Sequence, residues 1–188
     1  NFLLILISIY FINNQISLDD PEFILQIKNL IIICIIFFIF NTLGICFLGD
    51  NGVYVFSIII SLFIISFVEN SDKNISPLLA AAFLWYPAFE NLFSILRRVK
   101  RSKFVSKADK LHLHILIKET LFLYFEKKID NQKINTLSAI LINICLLPNY
   151  LFSILWYNNS SKLMFLIFFQ IAVYMFVYFN LIKIKKNK

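Results

Sequence analysis

The chain has 188 residues, a formal charge of +7, 22 phenylalanines and a mean hydropathy of +0.78, and 60% of it is hydrophobic. A soluble domain of this length could not hide so much apolar side chain, so composition excludes an ordinary globular fold and points to a polytopic α-helical membrane protein. The basic balance would suggest nucleic acid in a soluble chain. Here it is discounted, because cationic loops on one face of a bilayer account for it.

In chain order, Phe2 to Ile12 is apolar but short of the roughly 20 residues needed to cross hydrocarbon. It reads as a truncated span, and the chain as the C-terminal part of a longer protein. Asn13 to Asn29 is polar and reads as a surface connection. Its Asp19-Asp20-Pro21-Glu22 stretch suits either a metal site or helix capping ahead of a proline.

Leu30 to Leu48 is a full span that ends in Gly49-Asp50-Asn51-Gly52. Val53 to Val68 is the next, and Ile75 to Leu96 follows, with Pro77 in its first turn and Pro87 as a kink. Arg97 to Lys133 is the one long polar stretch and reads as a loop. It holds eleven of the eighteen Lys and Arg residues and both histidines, His112 and His114. Within it, Ile115 to Phe125 is too apolar for a free loop and too short to cross, which suits an interfacial helix lying on the bilayer. Leu137 to Trp156 and Leu163 to Ile182 form a final hairpin before the lysine-rich tail. The expected fold is therefore all-α: a single transmembrane helix bundle over residues 1–188, with about five full spans after the truncated one.

Charge sets the expected orientation. With the 97–133 loop and the tail on one side, alternation of the spans brings Asp50 to that side as well. That side then holds fifteen Lys and Arg, against Lys28, Lys73 and Lys162 on the other, a strong positive-inside bias that makes it cytoplasmic.

Three sets of residues carry possible chemistry. Asp50 sits between glycines, where backbone N–H groups approach phosphate oxygens closely and a carboxylate can hold Mg²⁺. It also suits the cap of a helix starting near Val53. His112 and His114, at i and i+2, diverge on a helix but share a face of an extended segment. Seven basic residues between Arg97 and Lys110 give them a field that favours a phosphorylated ligand, or anionic lipid. Glu90, the one acid inside a span, could face the same site or pair with Arg97. Cys34, Cys46 and Cys145 lie in apolar runs without metal-ligand spacing and read as small buried hydrophobes.

Taken together, Phe40-Asn41, then Phe47-Leu48-Gly49-Asp50-Asn51-Gly52, resemble the N…FxGDxG signature of the polyprenyl-phosphate N-acetylhexosamine-1-phosphate transferases. Leu84 to Arg98, followed by Ala108-Asp109-Lys110-Leu111-His112-Leu113-His114, resembles the same family in the same order. This is glycosyltransferase family 4, to which the lipid I-forming phospho-MurNAc-pentapeptide transferase is related. The family's upstream DDxxD-type and NxxDG motifs do not occur in this chain. Ile115 stands where many members have a third histidine.

The resemblance implies a multi-pass enzyme of the bacterial inner membrane with its active face and C-terminus cytoplasmic. It implies transfer of a sugar 1-phosphate from a UDP-sugar to a polyprenyl phosphate, such as undecaprenyl phosphate, with release of UMP. Such a step initiates cell-envelope glycan synthesis, as in cell wall or lipopolysaccharide O-antigen assembly. Asp50 would be the catalytic metal ligand for Mg²⁺, or for Mn²⁺ in its place. His112, His114 and Asn51 would bind the nucleotide and its phosphates, with Arg97, Arg98 and Arg101 supplying general phosphate attraction. A homodimer is left open, and the 188 residues alone are expected to be inactive. The rival classes are a non-catalytic membrane protein or degenerate remnant, and a lipid transporter. A transporter would carry polar residues in mid-span, of which these spans have few.

Overall fold

Long apolar runs, bounded by proline, glycine and charge, fold into helices throughout the computed structural model of this chain. It describes residues 1–16, 21–69, 75–100, 111–125 and 130–186, with the backbone alone at Asp50. In order these are α1 (Phe2–Ile16), α2 (Pro21–Thr42), α3 (Gly49–Glu69), α4 (Leu78–Lys100), α5 (Leu113–Tyr124), α6 (Asn131–Leu155) and α7 (Ser160–Lys186). Five of them, α2, α3, α4, α6 and α7, are long and apolar enough to cross a membrane, whereas α1 is a shorter apolar helix. The all-α polytopic class expected from composition is the one observed.

The helices are longer than their apolar runs, for a simple reason. Hydropathy marks the part that crosses hydrocarbon, whereas backbone hydrogen bonding continues until a cap stops it. So α2 begins at Pro21, with Glu22 in its first turn, rather than at Leu30. Most of the expected 13–29 connection is helical, and Asp19 and Asp20 lie outside the described residues. The expected 97–133 loop is likewise shortened. Arg97 to Lys100 form the last turn of α4, where cations favour the helix C-terminus, and α6 already starts at Asn131. Residues 101–110, including Arg101, lie outside the described residues.

The contacts divide the chain into two units. One comprises residues 1–83 and 147–166, the other residues 84–146 and 167–188. The divisions fall within one turn of Pro87 in α4 and of Pro148 in α6, each of which removes a backbone donor from its helix.

In the first unit, Ile5, Ile9, Ile12 and Ile16 line one face of α1 at helical spacing and are buried. Phe2 stacks on Phe56 of α3, and Phe23 of α2 packs on Phe63 and Phe67. Two polar links add to this apolar packing. Ser76 Oγ and Ser160 Oγ lie 2.8 Å apart, and Asn149 Nδ2 donates to Ala82 O at 2.8 Å. The second unit holds residues 84–100 of α4, 131–146 of α6 and 167–186 of α7, together with α5.

Candidate functional site

Glu90 is the buried acid of the second unit, only 7% exposed. An isolated carboxylate there would be costly, and three hydrogen-bond contacts offset that cost. His112 Nδ1 lies 2.9 Å from Oε1, the Leu113 backbone N–H donates to the same oxygen at 3.0 Å, and Tyr174 Oη donates to Oε2 at 2.6 Å. One side chain of α4 thus ties the head of α5 to α7. The expected alternative, pairing with Arg97, is not what forms. Arg97 Nη1 instead donates to Tyr178 Oη at 2.8 Å, and its guanidinium lies over the rings of Phe93 and Tyr178.

The start of α5 explains the histidines. His112 is its N-cap, with extended backbone at φ −65° and ψ 146°, and makes no side-chain capping bond. Glu90 does that work from another helix, by accepting the orphan N–H of Leu113. Because the helix begins between the two histidines, their rings lie on one side. They stack with centroids 5.6 Å apart and planes 18° apart. The i, i+2 spacing therefore brings them together. His112 is half-buried, whereas His114 keeps an exposed edge. Even so, crowding by protein atoms and then the neighbouring His112 hold the His114 pKa below its usual 6.5, against a smaller opposing pull from Glu90.

This arrangement limits what the head of α5 can bind. A helix N-terminus is a ready anion site, but a carboxylate oxygen already sits on this one. An incoming phosphate meets the imidazoles here, the Leu113 N–H being already taken. With Nδ1 of His112 turned to Glu90, the edge carrying Nε2 is the one left for a ligand.

Around these groups lies an aromatic wall that the sequence alone does not single out. Tyr174 and Tyr178, one turn apart on α7, stack at 6.0 Å. Phe93 meets both edge-on, and Phe89 meets Tyr174 at 5.1 Å. The available signal was the i, i+4 tyrosine pair in an otherwise aliphatic and Phe-rich span. A cavity of about 80 Å³ lies alongside, lined by Trp85, Tyr86, Leu113, Ile142, Gln170 and Tyr174 among others. At about 30 Å³ per water molecule it has room for two or three. That is well below the roughly 300–1,000 Å³ of ligand pockets, so it is a packing gap.

Asp50 and Asn51 belong to the first unit. The Gly49–Gly52 stretch is not a separate turn ahead of a helix at Val53, because it forms the first turn of α3 itself. Gly49 has φ +63°, a left-handed conformation that disfavours any side chain. A Cβ at Gly52 would lie 2.8 Å from the Leu48 side chain, so glycine lets Leu48 fold back over that turn. Asn51 is exposed.

Just before it, α2 ends in a Schellman motif. Gly44, at φ +73°, donates to Asn41 O, and Ile45 donates to Phe40 O. Asn41 Nδ2 then closes the connection on Cys46 O at 3.0 Å. The asparagine of the apparent signature therefore has a structural task.

Position 50 in this first turn is an aspartate. Among the described residues, no group of three or more His, Cys, Asp or Glu side chains could hold a metal ion. A Mg²⁺ ion needs only one or two carboxylates when substrate phosphates complete its shell, and Asp50 fits that donor chemistry.

Compared with known proteins, the chain matches no family model, no curated protein and no solved structure.

Proposed function

We propose that this membrane protein is a phosphoglycosyl transferase that moves a sugar 1-phosphate, such as N-acetylhexosamine 1-phosphate, from a UDP-sugar to a polyprenyl phosphate. The observation that carries the reading is the stacked His112–His114 pair, held at the head of α5 by Glu90. Its sequence neighbourhood is strongly basic, and it follows the Gly-Asp start of α3 in the order the family resemblance requires.

The chemistry suits a membrane face. One substrate is a lipid phosphate at headgroup level and the other a water-soluble nucleotide. A phosphate oxygen of the acceptor attacks the sugar-bearing phosphorus, the bond to the uridylate breaks, and UMP leaves. Repulsion between the two phosphates is the main obstacle, and positive charge placed at the oxygens lowers it. His112, His114 and Asn51 bind the nucleotide and its phosphates. Arg97, Arg98 and Arg101 raise the local concentration of anions. Asp50 is the ligand for Mg²⁺, which when bound neutralises phosphate charge. The positive-inside bias supports a cytoplasmic active face, and the family resemblance alone suggests a bacterial inner membrane with undecaprenyl phosphate as the acceptor.

The test is UMP release from UDP-N-acetylhexosamine and undecaprenyl phosphate by membranes containing the protein. Asp50→Asn keeps the shape and capping capacity of the helix start but removes its charge. It is expected to lower the rate about 10²-fold or more, on the scale of one lost transition-state contact. A near-normal rate across a range of Mg²⁺ concentrations would overturn the assignment.

A further inference from the structure

The contacts of Glu90 deepen this reading of the site, and their functional meaning rests on the phosphate-binding role proposed for His112. We infer that Glu90 is a positioning residue: it fixes the His112 ring in the Nδ1–H form and so presents Nε2 to a phosphorylated ligand.

Donors and acceptors around the one carboxylate settle where the protons lie. Leu113 N–H and Tyr174 O–H both donate to it, one to each oxygen. Oε1, which takes the Leu113 N–H, is also the oxygen 2.9 Å from His112 Nδ1. A carboxylate has only lone pairs to offer, so the hydrogen of that contact belongs to Nδ1. In a neutral ring Nε2 is then the bare nitrogen, and in a protonated ring it is the second donor. Either way its geometry is set, because both the ring and the backbone that carries it are held by the same oxygen. Tyr174 in turn fixes the carboxylate from α7. The same logic applies to carboxylates that orient metal-bound histidines, where loss of the outer partner typically costs 10–100-fold.

A purely structural role predicts something different. If Glu90 only docked α5, the Leu113 N–H contact would suffice and the state of the His112 ring would be irrelevant. The spectroscopic state of the ring therefore separates the two.

The experiment uses the 188-residue chain in lipid nanodiscs with ¹⁵N-labelled histidine, the two rings being assigned with His114→Gln. In the wild type, His112 is expected as one species with the proton on Nδ1. In Glu90→Ala, which removes the oxygen that receives the Nδ1–H, that single species is expected to be lost to a mixture of tautomers. Tyr174→Phe, which leaves the His112 contact in place, is expected to change the ring signal less. A wild-type ring with its proton on Nε2, or a ring unaltered by Glu90→Ala, overturns the inference.

UDP and inorganic phosphate are then titrated separately. Movement of the His112 Nε2 signal by UDP, with affinity about tenfold weaker in Glu90→Ala, supports presentation to a phosphorylated ligand. A ring locked by Glu90 that ignores both probes leaves the lock standing and refutes the phosphate reading. A ring that tumbles in Glu90→Ala yet binds UDP as tightly as the wild type refutes the positioning role.

Discussion

Glu90 Oε1 holds the His112 ring at 2.9 Å although the two residues stand 22 positions apart, and it takes the N–H of the next residue as well. Two interactions on one buried oxygen make the carboxylate hard to remove. Glu90→Leu strands three polar groups at once: an imidazole N–H, a backbone N–H and the Tyr174 hydroxyl. Breaking a buried network by deleting its central partner costs about 3–5 kcal/mol. Tyr174→Phe deletes one hydrogen bond to a charged group and is expected to cost about 1.5 kcal/mol. Unfolding titrations in mixed micelles measure both, and equal small losses would contradict the arrangement.

How much of this was legible in the sequence varies from one residue to the next. The spans were, because apolar runs of membrane-crossing length have few alternatives. Their ends were not, since Pro21 starts α2 nine residues before the apolar run that marks it. Glu90 was visible as a lone acid in a span, but its partner depended on where α5 begins. Sequence spacing alone left the two histidines either diverging or aligned, and the helix start at Leu113 decides for alignment. Tyr174 stands 84 positions from Glu90, and no local pattern announces a contact at that range.

Gly49 and Gly52 should differ sharply when substituted. Nothing lies within 4 Å of a Cβ built on Gly49, so Gly49→Ala meets no clash, but its φ of +63° remains. Holding alanine in that region costs about 1–2 kcal/mol. At Gly52 the obstacle is the Leu48 side chain, which can turn away. Gly52→Ala is expected to cost less, and paired thermal denaturation of the two variants checks the order.

Asn149 tests the polar link inside the first unit. Its Nδ2 donates to Ala82 O while its Oδ1 is buried without a partner. Interhelical hydrogen bonds in membranes average about 0.6 kcal/mol and reach about 1.7. Asn149→Ala removes the bond and the orphan acceptor together, so a loss near about 1 kcal/mol is expected. A loss several times larger would mean that Asn149 carries more than this one bond.

The lowered pKa of His114 gives stability a definite dependence on pH. In the unfolded chain the ring titrates near 6.5, and in the folded chain below that. The unfolded state therefore takes up the proton first. The contribution is fully present above about pH 6.5 and is lost as pH falls from there through the folded value. His112 and Lys118 act in the same direction and Glu90 against it. Because the ring edge is exposed, the effect is modest. His114→Gln should flatten the curve between about pH 7 and pH 5, as read by the difference in melting temperature from the wild type at each pH. An unchanged difference across that window would rule out the effect.

The two histidines should separate stability from binding. His112→Ala removes a ring that Glu90 holds, and leaves a buried carboxylate with one of its three donors missing. Its loss should lower stability by about 1–3 kcal/mol, the cost of an unsatisfied buried group, as well as weakening UDP binding. His114 stacks on His112 but is exposed, and none of the three donors to Glu90 comes from it. His114→Ala should leave the unfolding midpoint within about 0.5 kcal/mol of the wild type, as surface changes usually do, while still weakening UDP binding. Isothermal titration with UDP, run beside unfolding on the same preparations, reads both quantities. If His114→Ala destabilises as much as His112→Ala, the pair is a single packing unit. If neither changes UDP affinity, the stacked rings are not the phosphate-binding face.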